Sequence, residues 1–157
     1  MTKIIPHNFQ RNDGGRAEAG FRGTTGDCVT RAIAIGTGMS YSEVYDLVNE
    51  AAKGEKMTQR RKRRGRSSAR TGVYKATIRR IMDRMEGWTW TPTMGIGTGC
   101  RVHLRSDELP DGRLIVSVSK HIVAVIDGVI HDTHDPSRCG TRCVYGYWQM
   151  DATDQAQ

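Results

Sequence analysis

No apolar run in this 157-residue chain is long enough to span a bilayer. The opening stretch, MTKIIPHNFQRNDGG, has no apolar signal core. Those two absences set the expectation of a protein that stays in the cytoplasm and has no membrane partner. Cysteine is sparse, at four residues. In a reducing compartment the four are expected to remain thiols, as a nucleophile, metal ligands or small buried apolar groups rather than disulfides. The glycine-rich GIGTG at 95–99 lacks a phosphate-binding lysine and does not join a buried strand to a helix, so it reads as a turn. No cofactor is expected.

Hydrophobic residues make up 37% of the chain and charged residues 26%, which excludes disorder along its whole length. The length suits one domain with a real core. The formal net charge of +7 is concentrated: residues 53–84 hold 13 Lys or Arg against Glu55 and Asp83, and the remainder of the chain is net acidic. The basicity therefore belongs to an insert at about 55–72 and its flank, not to the fold. Such a block attracts polyanions or acidic proteins, or else is a solvated loop. Its main aromatic is Tyr74, too little to support base stacking.

The pattern along the chain is helices first, then strands. Residues 1–26 are glycine-rich and aperiodic, and read as an extended approach. Asp27 is placed as the N-cap of a short helix, CVTRAIAIGTG, which Gly36 and Gly38 end. Ser40 and Glu43 make a capping box for a helix to about Lys53, with Val44, Leu47, Val48 and Ala51 on one face. A third helix, about 73–86, presents Ile78, Ile81, Met82 and Met85. Strands follow around Trp88 and Trp90, then at 114–119, 121–126, 129–133 and 143–148. Asp127-Gly128 between two apolar runs is a tight hairpin turn. The order predicts an α+β fold, with N-terminal helices packed on a C-terminal antiparallel β-sheet.

Three residues carry chemistry on this scaffold. Cys28 opens a helix, where unpaired backbone N–H groups and the helix dipole favour a thiolate. His121 opens the first hairpin strand. Counting back from the turn pairs Val123 with Asp132, so Asp132 falls on the His121 face, diagonally across. A carboxylate there would orient the imidazole and steady its protonated form. The Cys28 N–H is a natural oxyanion donor, with Asn8, Gln10 or Asn12 as the second.

The blocks GDCVTRAIA at 26–34 and KHIVAVIDGVIHDTHDP at 120–136 resemble papain-like cysteine peptidases, nearest to the bacterial double-glycine leader peptidases. The chain also resembles small proteins of phages and proteobacteria in the blocks GDCVTRAIAI at 26–35 and VIDGVIHDTHDPSRCGTRCVYGYW at 125–148. The resemblance implies a papain-like fold and a cysteine hydrolase acting on a peptide, isopeptide or other amide bond. Cys28 would be its nucleophile, His121 its base, and Asp132 or Asp135 its orienting acid.

Two other constellations compete. His131, His134, Cys139 and Cys143 are four potential zinc ligands, with Cys100 able to join only through tertiary contact, although hairpin alternation puts the two histidines on opposite faces. The basic run Arg60, Arg61, Lys62, Arg63, Arg64 and Arg66 would bind nucleic acid or an acidic partner in a non-enzymatic, phage-type accessory protein.

Overall fold

The computed structural model describes residues 8–22 and 26–151. The extended reading of 1–7 and 23–25 and the end of the C-terminal tail lie outside these residues. Among the described residues are four helices, α1 (Cys28–Thr37), α2 (Tyr41–Lys53), α3 (Gln59–Arg64) and α4 (Lys75–Asp83). There are six strands, β1 (Phe9–Arg11), β2 (Trp88–Pro92), β3 (Arg113–Val118), β4 (His121–Ile126), β5 (Val129–Asp132) and β6 (Val144–Met150). They form one sheet in the order β1-β5-β4-β3-β6-β2. No helix among the described residues is long and apolar enough to cross a membrane.

The α+β class holds, but the sheet is mixed rather than antiparallel. The N-terminal strand β1 runs parallel to β5, with Phe9 opposite Ile130 and Arg11 opposite Asp132. The three-residue strand has too short an apolar pattern to announce itself, and its partner lies more than a hundred residues away.

The central strands β3 and β4 are buried on both faces, which is why LIV and IVAV read as continuous apolar runs. On one face, Ile115, Ile122 and Trp148 pack against Ile33 of α1, Val44 and Val48 of α2, and Ile81 and Met82 of α4. On the other, Val116, Val123 and Val125 are covered by Leu104 and Leu109. Each fully buried aliphatic side chain contributes about 1.5–3 kcal/mol relative to exposure. Gly36 does not end α1 but lies inside it, where a Cβ would stand 2.8 Å from Ile115 Cγ1. Gly38, at φ 78°, closes the helix and donates its N–H to Ala34 O. The capping box forms as read: Ser40 accepts from the Glu43 N–H, and Glu43 accepts from the Ser40 N–H.

The basic insert is folded rather than a solvated loop. Thr58 caps α3, whose residues are mostly exposed. Behind it, the buried Glu55 carboxylate accepts from the Ser67 N–H at 2.8 Å and from the hydroxyls of Ser67 and Thr77. Ala69 is buried in the core and accepts a hydrogen bond from the Thr30 hydroxyl. Polar anchors do what apolar ones do elsewhere, so hydrophobic spacing gave no sign of them.

The cysteines depart from expectation as well. Cys100 and Cys143 are joined in a disulfide, with Cα atoms 5.7 Å apart. His103 bridges Cys143, and the Val144 N–H donates to Val102 O, which lays the 100–104 segment alongside β6. Cys28 and Cys139 are free.

Candidate active site

The hairpin register is the one the turn dictates. Ile126 faces Val129, Val125 faces Ile130 and Ala124 faces His131. Asp127 and Gly128 both take positive φ, at 48° and 78°, as a type I′ turn demands. Asp132 therefore lies on the His121 side of the sheet. Its Oδ2 sits 2.6 Å from His121 Nε2, and its Oδ1 accepts from the Thr133 N–H at 2.7 Å. Asp135 is used differently: its Oδ1 accepts from the Ser137 N–H in a turn after β5. Of the two acids implied above, Asp132 is the one on the imidazole.

Helix α1 packs across β4 and brings Cys28 to the same ring. With Nε2 committed to Asp132, Nδ1 is the ring nitrogen left for the thiol. Burial pushes the Cys28 thiol up, but hydrogen bonding and charge from His121, the Ile122 N–H and the charge of Arg31 outweigh it, leaving the thiol below its usual range. Burial pulls His121 down, while its hydrogen bonds to Asp132 and Cys28 and both their charges push it up, to about 9. Burial likewise raises the Asp132 carboxyl, yet His121, the Thr133 N–H and Arg31 hold it below the ordinary carboxylate range. All three shifts favour a thiolate, an imidazolium and a carboxylate in sequence.

Cys28 and His121 open into a cleft of about 420 Å³. Thr71, Gly72 and Val73, at the end of the basic insert, form one wall; Ser117, Lys120 and His134 lie on the other side. Among the described residues, no aspartate or glutamate lines it. A second cavity of about 490 Å³ shares Lys75, Ile78, Ser117 and Ile122 with the first, and extends it toward Trp90, Tyr145 and Trp148. Gly95 and Ile96 of the glycine-rich turn border that extension.

The expected second oxyanion donors lie elsewhere. Asn8 lends its carbonyl to the Ile130 N–H, Gln10 donates to Arg11 O, and Asn12 pairs with His131 Nδ1 and the Gly14 N–H. Strand β1 and the residues flanking it hold all three beside β5 at the edge of the sheet, and none lines the cleft. The Asp27 side chain also does not cap α1. It is buried and meets Tyr41 Oη at 2.7 Å, Arg16 at 3.1 Å and Arg31 at 3.4 Å. Sequence reading assigned Arg31 no role; its spacing of four residues from Asp27 on one helix was the available signal.

The zinc set is dismantled, because Cys143 is disulfide-bonded and His131 turns to Asn12. Ligand atoms of His121, Asp132 and His134 lie within 4.8 Å of one another, but the Asp132 carboxylate is already engaged by His121, Thr133 and Arg31. In the basic run, Arg60, Lys62, Arg63 and Arg64 are exposed on α3. Arg61 stacks on Tyr74 at 4.8 Å, and Arg66 donates to the carbonyls of Ala52, Lys53 and Glu55 at the end of α2. Those two are therefore partly structural. Comparison of the chain with protein-family models, curated proteins and solved structures finds no match.

Proposed function

We propose that this chain is a papain-like cysteine hydrolase acting on a peptide, isopeptide or other amide bond. The observation that carries the reading is the 2.6 Å Asp132–His121 contact on a ring whose other side meets a Cys28 thiol held below its usual range, all at an open cleft. In this reading Cys28 Sγ attacks the carbonyl carbon, and the carbon–oxygen π pair moves onto oxygen. The Cys28 N–H, in the first turn of α1 with no helical acceptor behind it, donates to that oxyanion. The intermediate collapses to a thioester as the amine leaves with the proton from His121. His121 then takes a proton from water, which attacks the thioester, and collapse of the second intermediate expels Cys28 Sγ as the thiolate beside the protonated ring, releasing the acid product. Asp132 keeps the ring oriented throughout. Lys75 and Lys120 in the cleft lining favour a substrate bearing carboxylates near the scissile bond.

The test is acylation by p-nitrophenyl acetate, followed by peptide mapping. An acetyl group on Cys28 that turns over, and is absent from Cys28→Ala, is the expected result. Wild-type protein that never carries the label on Cys28 overturns the reading.

A second reading has its own observation. Helix α3 exposes Arg60, Lys62, Arg63 and Arg64 to solvent within about one and a half turns. As a non-enzymatic accessory protein, the chain would bind nucleic acid or an acidic protein there, through charge rather than base stacking.

A further inference from the structure

The triad is only the visible end of a longer buried chain of alternating charge. Asp132 Oδ2 holds His121, and 3.5 Å from its Oδ1 is Arg31 Nη2. Arg31 Nη1 lies 3.4 Å from Asp27 Oδ1 and donates to Thr133 Oγ1 at 3.2 Å. Asp27 in turn accepts from Tyr41 Oη at 2.7 Å and from Arg16 at 3.1 Å. The Arg31 side chain is 8% exposed and the Asp27 side chain is fully buried, so neither charge is screened by bulk water. A lone buried carboxylate at Asp27 would be costly. Three donors from three segments have been gathered to hold it: the glycine-rich stretch, α1 and α2.

The glycine-rich stretch has a specific place here. Gly14, at φ 70°, lies so close to α1 that a Cβ would stand 3.2 Å from Arg31 Cα. This close approach brings Arg16 onto Asp27 and presses the segment over Arg31. A stretch that read as a featureless approach thus closes the lid on the charge chain.

We propose that Arg31 is a positioning residue for the triad, fixing Asp132 against His121 and placing a buried positive charge one turn along α1 from Cys28. The proposal rests on the cysteine-hydrolase reading for its catalytic meaning, but its geometry stands apart from it. Arg31 sits one helical turn after Cys28 on α1 and lies 3.5 Å from Asp132, so one side chain ties the helix that carries the nucleophile to the acid. Lysine at this place would keep the charge but lose the two-pronged contact with Asp27 and Asp132. Methionine would keep much of the apolar stem and lose the charge.

The experiment uses the full chain as wild type, Arg31→Met and Arg31→Lys. Iodoacetamide labelling of Cys28 is followed across pH by peptide mapping, and the His121 ring is titrated by NMR in the same samples. Thermal melts identify any variant that does not fold. The expected result for Arg31→Met is a rise in the Cys28 titration midpoint, seen as about tenfold slower labelling at mildly acid pH for each unit of rise. The His121 titration moves upward too, because the Asp132 charge is no longer shared. Arg31→Lys restores part of the Cys28 reactivity, and it carries the test if the methionine variant does not fold. Arg31→Met profiles that superimpose on wild type for both groups, or, where that variant does not fold, Arg31→Lys profiles that do so, overturn the proposal while leaving the hydrolase reading intact. A wild-type Cys28 with ordinary thiol reactivity, together with a His121 titration that still moves in Arg31→Met, sinks the hydrolase reading and leaves the positioning role standing.

Discussion

The Thr30 hydroxyl donates to the Ala69 carbonyl at 2.7 Å, joining the helix that carries Cys28 to the basic insert. Both residues are buried. The contact lies two residues after the thiol and two before Thr71, which lines the cleft. The insert is therefore part of the site wall, and its outward charge and inward anchoring are separate properties.

Thr30→Val keeps the shape and removes the donor, leaving the Ala69 carbonyl buried and unpaired. The expected cost is about 1–3 kcal/mol in a denaturant titration. Amides of residues 67–73 should exchange faster than those of β3 and β4. Unchanged stability and exchange would mean that the other anchors of the insert, Glu55, Arg66 and the Ala69 N–H on Asn49, hold it without this bond.

Gly36→Ala improves intrinsic helix propensity yet places a methyl group against Ile115. The clash is expected to win, with a loss of about 1–3 kcal/mol. Gly36→Ala combined with Ile115→Val should recover part of it. A stabilised single variant would show that the sheet yields freely at Ile115.

Stability should fall toward both pH extremes for reasons located at the triad. His121 is raised in the folded state to about 9, so its contribution is complete below the unfolded histidine range and is lost as pH rises through about 9. Asp132 is lowered, so its contribution is present above the unfolded carboxylate range and is lost as pH falls through its depressed folded value. His121→Gln should flatten the alkaline limb in melts taken across pH. An alkaline limb unchanged in that variant would assign the loss to other groups.

Replacing Arg60, Lys62, Arg63 and Arg64 with glutamine should leave the melting temperature nearly unchanged, because surface charges contribute little to stability. It should abolish retention on heparin. Arg66→Gln should act oppositely, lowering stability by about 0.5–1.5 kcal/mol by removing its hydrogen bonds to the carbonyls at the end of α2, with little effect on retention. Retention that survives the fourfold change would move the polyanion surface away from α3.

What the sequence disclosed follows from what is local. Asp127-Gly128 sets the turn, the turn sets the register, and the two-residue period of a strand sets Asp132 on the His121 face. The S-x-x-E box and the stripe of α2 are legible for the same reason. What stayed hidden depends on distant partners. Asp27 has the sequence position of a cap, but Tyr41, Arg16 and Arg31 draw its side chain inward. The pairing of β1 with β5, the Cys100–Cys143 bond and the Glu55–Ser67–Thr77 anchor each need the folded chain to bring their members together. Polar anchoring of the insert leaves no periodic trace, so a folded wall looked like a solvated charge run.

The most direct test of a thiolate at the helix start is competitive alkylation at about pH 6, well below the ordinary thiol range. Exposed Cys139 is the internal reference, and trace iodoacetamide is quantified on each cysteine peptide. The account predicts that Cys28, though more buried, is labelled at least about tenfold faster than Cys139, and that Asp132→Asn and His121→Gln each erase most of that advantage. Cys28 labelling no faster than Cys139 in the wild-type protein would contradict it.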